Sequence, residues 1–143
     1  MLWPRLGILM GIVGWAITNV YPIGYAETGP PVKAEVSADG IQRVTIILDS
    51  YSYTPNHVVV VAGKPVELLL TSVTTLTPHN FVIHDSASGV SVEQDVGAGK
   101  SVTVRFTPGQ SGRMPFFCDK RLWPMASHRE KGMEGILEVS PSQ

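Results

Sequence analysis

Short runs of β-branched and aliphatic residues, closed by glycine, proline or serine, constrain this chain more than any other feature in it. In IQRVTIILD (41–49), Gln42, Val44, Ile46 and Leu48 fall on one side, and Ile41, Arg43, Thr45 and Ile47 on the other. KSVTVRF puts Val102, Val104 and Phe106 on one face and Ser101, Thr103 and Arg105 on the opposite one. A period of two is that of a half-buried strand, because successive side chains point to opposite faces. HVVVVAGKPVELLLTSV reads as a strand, a turn at Gly63, Lys64 and Pro65, and a second strand. NFVIH, MPFFC and GILEVS bring the total to seven or so short strands, the spacing of an all-β sandwich or barrel. The helical period is nearly absent. The best helical candidate is short, around Ser127 to Lys131.

The first 26 residues follow another pattern. MLWPR carries one positive charge, Arg5; Leu6 to Val20 are apolar; and Gly24 and Ala26 put small residues before Glu27. That order is the pattern of a secretory signal peptide, and the apolar run is short for a bilayer span. The expectation is export to the periplasm, with membrane attachment only if the segment is kept as an anchor. ETGPPVK, residues 27–33, reads as a mobile, proline-rich leader.

With Arg5 removed, the count of Lys and Arg falls from 11 to 10 against 12 Asp and Glu, so the exported part is close to neutral. There is no basic block suited to nucleic acid and no long like-charged run. A chain of 143 residues without repeats predicts one domain.

The chain has one cysteine, Cys118. In an oxidising compartment cysteines usually pair, so a single one is an intermolecular bridge, a buried thiol, a nucleophile or a metal ligand. Nine residues separate it from His128 and four more separate His128 from Met133, while His79 opens a strand candidate upstream in TPHNF. A thiolate, two imidazoles and a thioether form the ligand set of mononuclear copper electron-transfer sites. Closed zinc sites call on cysteine and histidine, not methionine. A cysteine nucleophile with His128 as its base leaves His79 and Met133 without a role. His57 reads as an ordinary strand residue and His84 as the end of a strand. Trp123 and Met125 are expected to pack over the site. Lys120, Arg121, Arg129 and Lys131 outnumber Asp119 and Glu130 on the same loop, which either steers an acidic partner or is simply solvated.

From about residue 41 onward the chain resembles the cupredoxins. YSYTPNHVVVVAGKPVEL is similar to the family's strand and Gly-x-Pro-Val segment, PHNFVI to its first-histidine strand, and GRMPFFCD with GMEGILEV to its ligand loop and last strand. The resemblance implies a Greek-key β-sandwich over 41–143; residues 27–40 are expected to form a leader and first strand region. It implies one type 1 copper held by His79, Cys118, His128 and Met133, with Asn80 tying the ligand loops together. Nine residues between cysteine and histidine are more than small members of the family have. Nitrite reductases share such spacing in their type 1 copper domain, but they need further histidines, and only His57 and His84 remain here. The function implied is Cu(I)/Cu(II) electron transfer to a partner protein, without enzymatic bond chemistry. Periplasmic copper sequestration for tolerance is the alternative.

Overall fold

The computed structural model describes residues 28–142, so the signal-peptide reading of 1–26 lies outside the described residues. Among these residues there are eleven strands and no helix. The strands are β1 (Val32–Lys33), β2 (Glu35–Val36), β3 (Gln42–Asp49), β4 (Ser52–Thr54), β5 (His57–Val61) and β6 (Val66–Ser72). They continue with β7 (His79–Asp85), β8 (Val90–Val96), β9 (Ser101–Phe106), β10 (Gly112–Phe117) and β11 (Glu134–Ser140). One sheet has the order β1-β5-β11-β10-β7-β8, and the other β2-β3-β6-β9 with β4 beside β3. The chain crosses between sheets after β1, β4, β5, β6, β8 and β9, which gives a Greek-key sandwich.

The alternation in the sequence decides which side chains enter the core. Gln42, Ile46 and Leu48 of β3 are buried, as are Val66, Leu68 and Leu70 of β6, which runs parallel to it. Gln42 is a polar residue at a core position, and its amide satisfies strand backbone there. Its Oε1 accepts from the Val61 N–H at 2.7 Å and its Nε2 donates to the Val61 carbonyl at 3.0 Å. Val32–Lys33, read as part of a mobile leader, instead pairs in parallel with β5. The Gly29 N–H also donates to the Asn56 side chain at 2.7 Å.

One aromatic cluster links the core to the end of the sandwich nearest the ligand loop. Phe81 stacks on Phe116 at 5.0 Å, and Tyr53 meets both edge-on at 5.9 and 5.1 Å. Phe81 lies two residues after His79, and Phe116 two before Cys118. The strand period therefore puts each ring on the same face as a candidate ligand. Tyr53 donates its hydroxyl hydrogen to the Asn80 carbonyl at 2.5 Å, which satisfies the one polar atom of the cluster.

Candidate metal centre

His79 begins β7, Cys118 follows the last residue of β10, and Met133 precedes the first residue of β11. Phe117 pairs with Val82 on one side and with Glu134 on the other, so these three strand ends adjoin at one end of the sheet. The ligand atoms of His79, Cys118 and His128 all lie within 4.8 Å of one another. The Cys118 Sγ is 3.3 Å from the His128 Nδ1, and the two imidazole rings are 5.1 Å apart. His79 and Cys118 are 0% exposed and His128 is 8% exposed, so His128 is the one of the three nearest solvent. Met133 is fully buried as well. Its backbone is bonded to both neighbours on the loop: the Cys118 N–H donates to its carbonyl at 3.1 Å, and its own N–H donates to the His128 carbonyl at 2.9 Å.

The donor set fits a metal. Both ring nitrogens of His79 are buried without a hydrogen-bond partner. A buried polar group left unsatisfied costs about 1–3 kcal/mol, so the lone pair there is poised for a ligand that the chain itself does not provide. Burial, reinforced by His128, pushes the His79 imidazole down to about 4. His128 is lowered too, by burial and then by the Lys131 charge. Both rings are therefore neutral and able to coordinate at ordinary pH. Burial raises the Cys118 thiol, against the opposing pull of the Asn80 and Lys120 N–H groups. Metal binding would displace its proton.

Asn80 clamps the two ligand segments. Its N–H lies 3.4 Å from the Cys118 Sγ, its Nδ2 donates to the Asp119 carboxylate at 2.7 Å, and its Oδ1 accepts from the Asp119 N–H at 3.1 Å. Such partners fix the orientation and basicity of the ligands they touch.

The nine residues between Cys118 and His128 are braced rather than loose. The His128 N–H returns to the Lys120 carbonyl at 2.8 Å, and the Lys120 ammonium reaches Asp95 at 2.6 Å. Ser127 and Glu130 bond reciprocally, the Glu130 N–H to Ser127 Oγ at 3.2 Å and the Ser127 N–H to Glu130 Oε2 at 2.6 Å. This is a helix-starting box, as the sequence suggested for Ser127 to Lys131, but no helix follows. The segment closes one turn, with the Lys131 N–H 3.2 Å from the Ser127 carbonyl, and Gly132 at φ 96° then redirects it into Met133. The Arg129 guanidinium covers the Phe117 ring at 3.9 Å and pairs with Glu134 at 3.1 Å.

Tyr51 was not singled out from the sequence. It sits in the β3–β4 turn at φ 60°, an uncommon conformation for a bulky residue. Its ring meets His128 edge-on at 4.9 Å, and the Lys131 ammonium lies 4.2 Å above it. Only the turn geometry brings it there, so no local pattern could have signalled it. Trp123 does not pack over the site: it is 83% exposed, and Met125 is 48% exposed on the rim of a cleft beside His128. His57 is paired with Glu138 at 3.0 Å, and the exposed His84 lies 3.3 Å from the Ser91 hydroxyl.

A family model described as a cupredoxin-like domain matches residues 23–133, and the chain belongs to that family. Among solved structures it is similar to the metal-binding domain of the Cu(I)-exporting P-type ATPase CopA of Streptococcus pneumoniae with Cu(I). The identity is 24% and the TM-score 0.58, over 82% of this chain and 99% of that one. It is also similar to dithionite-reduced auracyanin from Roseiflexus castenholzii, at 19% identity and TM-score 0.56, over 69% and 97%. One multicopper oxidase matches at 19% identity and TM-score 0.56, over 76% of this chain and 46% of that one. No curated protein sequence matches significantly. At these identities the likenesses carry the fold, while the family and the His79–Cys118–His128 cluster together point to copper binding.

Proposed function

We propose that the protein is an exported type 1 copper protein that carries single electrons to a periplasmic redox partner. His79, Cys118 and His128 would hold one copper ion, with the Met133 thioether as a weaker fourth donor. The observation that carries the reading is the fully buried His79 ring, both nitrogens unpartnered, within 4.8 Å of a buried thiol and a second imidazole. Bound there, copper would supply a one-electron Cu(I)/Cu(II) couple.

The chain's own part follows from its bracing. The Asn80 clamp and the backbone bonds among Cys118, His128 and Met133 brace the donor segments, and such bracing would keep rearrangement between the two copper oxidation states small. The Phe81–Phe116–Tyr53 cluster keeps water from the inner side. Cys118 offers the covalent route into the sheet, and His128 the shortest route to solvent. On this reading the protein is a carrier and not an enzyme.

Copper sequestration for tolerance uses the same ligands. The full burial of His79, Cys118 and Met133 favours it, because buried donors release metal slowly. Exchange kinetics separate the two. A carrier is expected to pass electrons to an inorganic oxidant at roughly 10⁵ M⁻¹s⁻¹ or faster, on the scale of ordinary protein encounters. Exchange slower by several orders of magnitude, with Cu(I) retained against a strong chelator, would select sequestration.

A further inference from the structure

Each of the three candidate ligands around the loop has an immediate neighbour with no part in the donor set. Phe117 precedes Cys118, Arg129 follows His128 and Glu134 follows Met133. These neighbours meet one another. Phe117 and Glu134 are partners across the β10–β11 pair. The Arg129 guanidinium lies 3.9 Å from the centre of the Phe117 ring, and its Nε donates to the Glu134 carboxylate at 3.1 Å. One side-chain contact therefore repeats the loop ligands, a single residue away at every position.

The contact stands on the opposite face of the sheet from the core. Successive strand side chains alternate in direction. Phe116 stacks on Phe81 inside the sandwich, so Phe117 points outward. Val82, which pairs with Phe117 from β7, lies between Phe81 and Ile83; both of those belong to the core and Val82 does not. Arg129 thus reaches from the ligand loop to the back of the strand ends that carry Cys118 and Met133. Backbone bonds close the turn on the loop itself, from the His128 N–H to the Lys120 carbonyl and from the Gly132 N–H to the Arg129 carbonyl, each at 2.8 Å. The Arg129 side chain is what ties that turn to this sheet.

We infer that Arg129, clamped between Phe117 and Glu134, is a positioning residue that sets where His128 and Met133 stand relative to Cys118. A planar guanidinium can cover a ring and pair with a carboxylate at once, which a lysine ammonium matches less well. The Arg129 side chain is 43% exposed and that of Glu134 22%. An ion pair at that exposure adds little to global stability, so the clamp acts on position rather than on folding. Donors must be held to about 0.5 Å for a site to keep one geometry. The inference deepens the copper-carrier reading and rests on it for the purpose of the ligands. The contact itself needs no metal.

The test compares the unaltered protein with Arg129→Ala, Arg129→Lys and Phe117→Leu, first metal-free and then with one equivalent of Cu(II). In the metal-free protein, NMR relaxation dispersion on the Met133 methyl and His128 ring signals reads their exchange on the microsecond-to-millisecond scale. Arg129→Ala is expected to raise the exchange broadening of both several-fold, leaving His79 and Phe81 as they are and the urea midpoint close to its original value. Arg129→Lys should lie in between. Phe117→Leu should broaden the same two side chains, and adding it to Arg129→Ala should change little more, because the two act through one contact. With Cu(II), Arg129→Ala should widen or split the EPR hyperfine pattern and speed copper loss to a chelator several-fold. Unchanged His128 and Met133 signals in Arg129→Ala would overturn the proposal. So would broadening that spreads evenly to His79 and Phe81, or single-variant effects that simply add. An unaltered protein that takes up no copper would sink the carrier reading, while the metal-free comparison would still decide the clamp.

Discussion

Between pH 6.5 and pH 4 the metal-free protein is expected to lose about 3 kcal/mol of folding stability through His79. The ring is fully buried, and burial lowers its pKa from 6.5 to about 4. One pKa unit corresponds to about 1.4 kcal/mol, and a depression of this size gives the figure as an order of magnitude. The sign follows from proton counting. Below pH 6.5 the unfolded chain takes up a proton on this imidazole while the folded chain does not, so acid favours unfolding. The contribution is whole above 6.5 and is lost as pH falls toward 4. His128, lowered for the same reason, adds in the same direction. Urea unfolding at half-unit pH intervals reads the effect. His79→Gln should flatten the slope over this window; an unchanged slope in that variant would mean the buried imidazole does not set it.

Gly135→Ala is expected to cost about 3 kcal/mol or more. Gly135 faces Phe116 across the β10–β11 pair. A methyl group there would overlap the Phe116 ring and lie 2.5 Å from the Asn56 carbonyl oxygen. That oxygen cannot easily retreat, because it accepts the Ile136 N–H at 2.8 Å. Phe116 is equally fixed, stacked on Phe81 and edge-on to Tyr53. Overpacking a rigid core costs 1–3 kcal/mol and more where backbone must move. Phe116→Leu in the same chain should return part of the loss, since the two positions share the clash and will not be additive. Chemical denaturation of the two single variants and the pair measures it. A loss under about 0.5 kcal/mol for Gly135→Ala would show that the strands part more readily than their packing indicates.

The sandwich was legible because its central strands alternate or run continuously apolar. β3, β5, β6, β7, β9, β10 and β11 all fall where the pattern put them. β8 went unread because VSVEQDV carries Glu93, Gln94 and Asp95 on a strand at the sheet's edge. β1, β2 and β4 are two or three residues long, and only their partners make them strands. The candidate ligands were legible because a thiol, imidazoles and a thioether at loop spacing have few shared uses. The loop was harder. Ser127 and Glu130 carry a helix-start signal that one glycine cancels, and Trp123, expected to pack over the site by its bulk, sits on a turn that faces outward. Tyr51 and Tyr53 depend on contacts between sheets, which no single stretch of chain contains.

The most direct test is an optical and EPR titration of residues 27–143 with Cu(II), beside Cys118→Ala. The account predicts an intense visible thiolate-to-copper band that saturates at one equivalent and is absent from the variant. The position of the band would then report whether the Met133 thioether reaches the copper. A well-folded protein that takes up copper without such a band, or that keeps the band when Cys118 is replaced, would contradict the copper centre while leaving the sandwich intact.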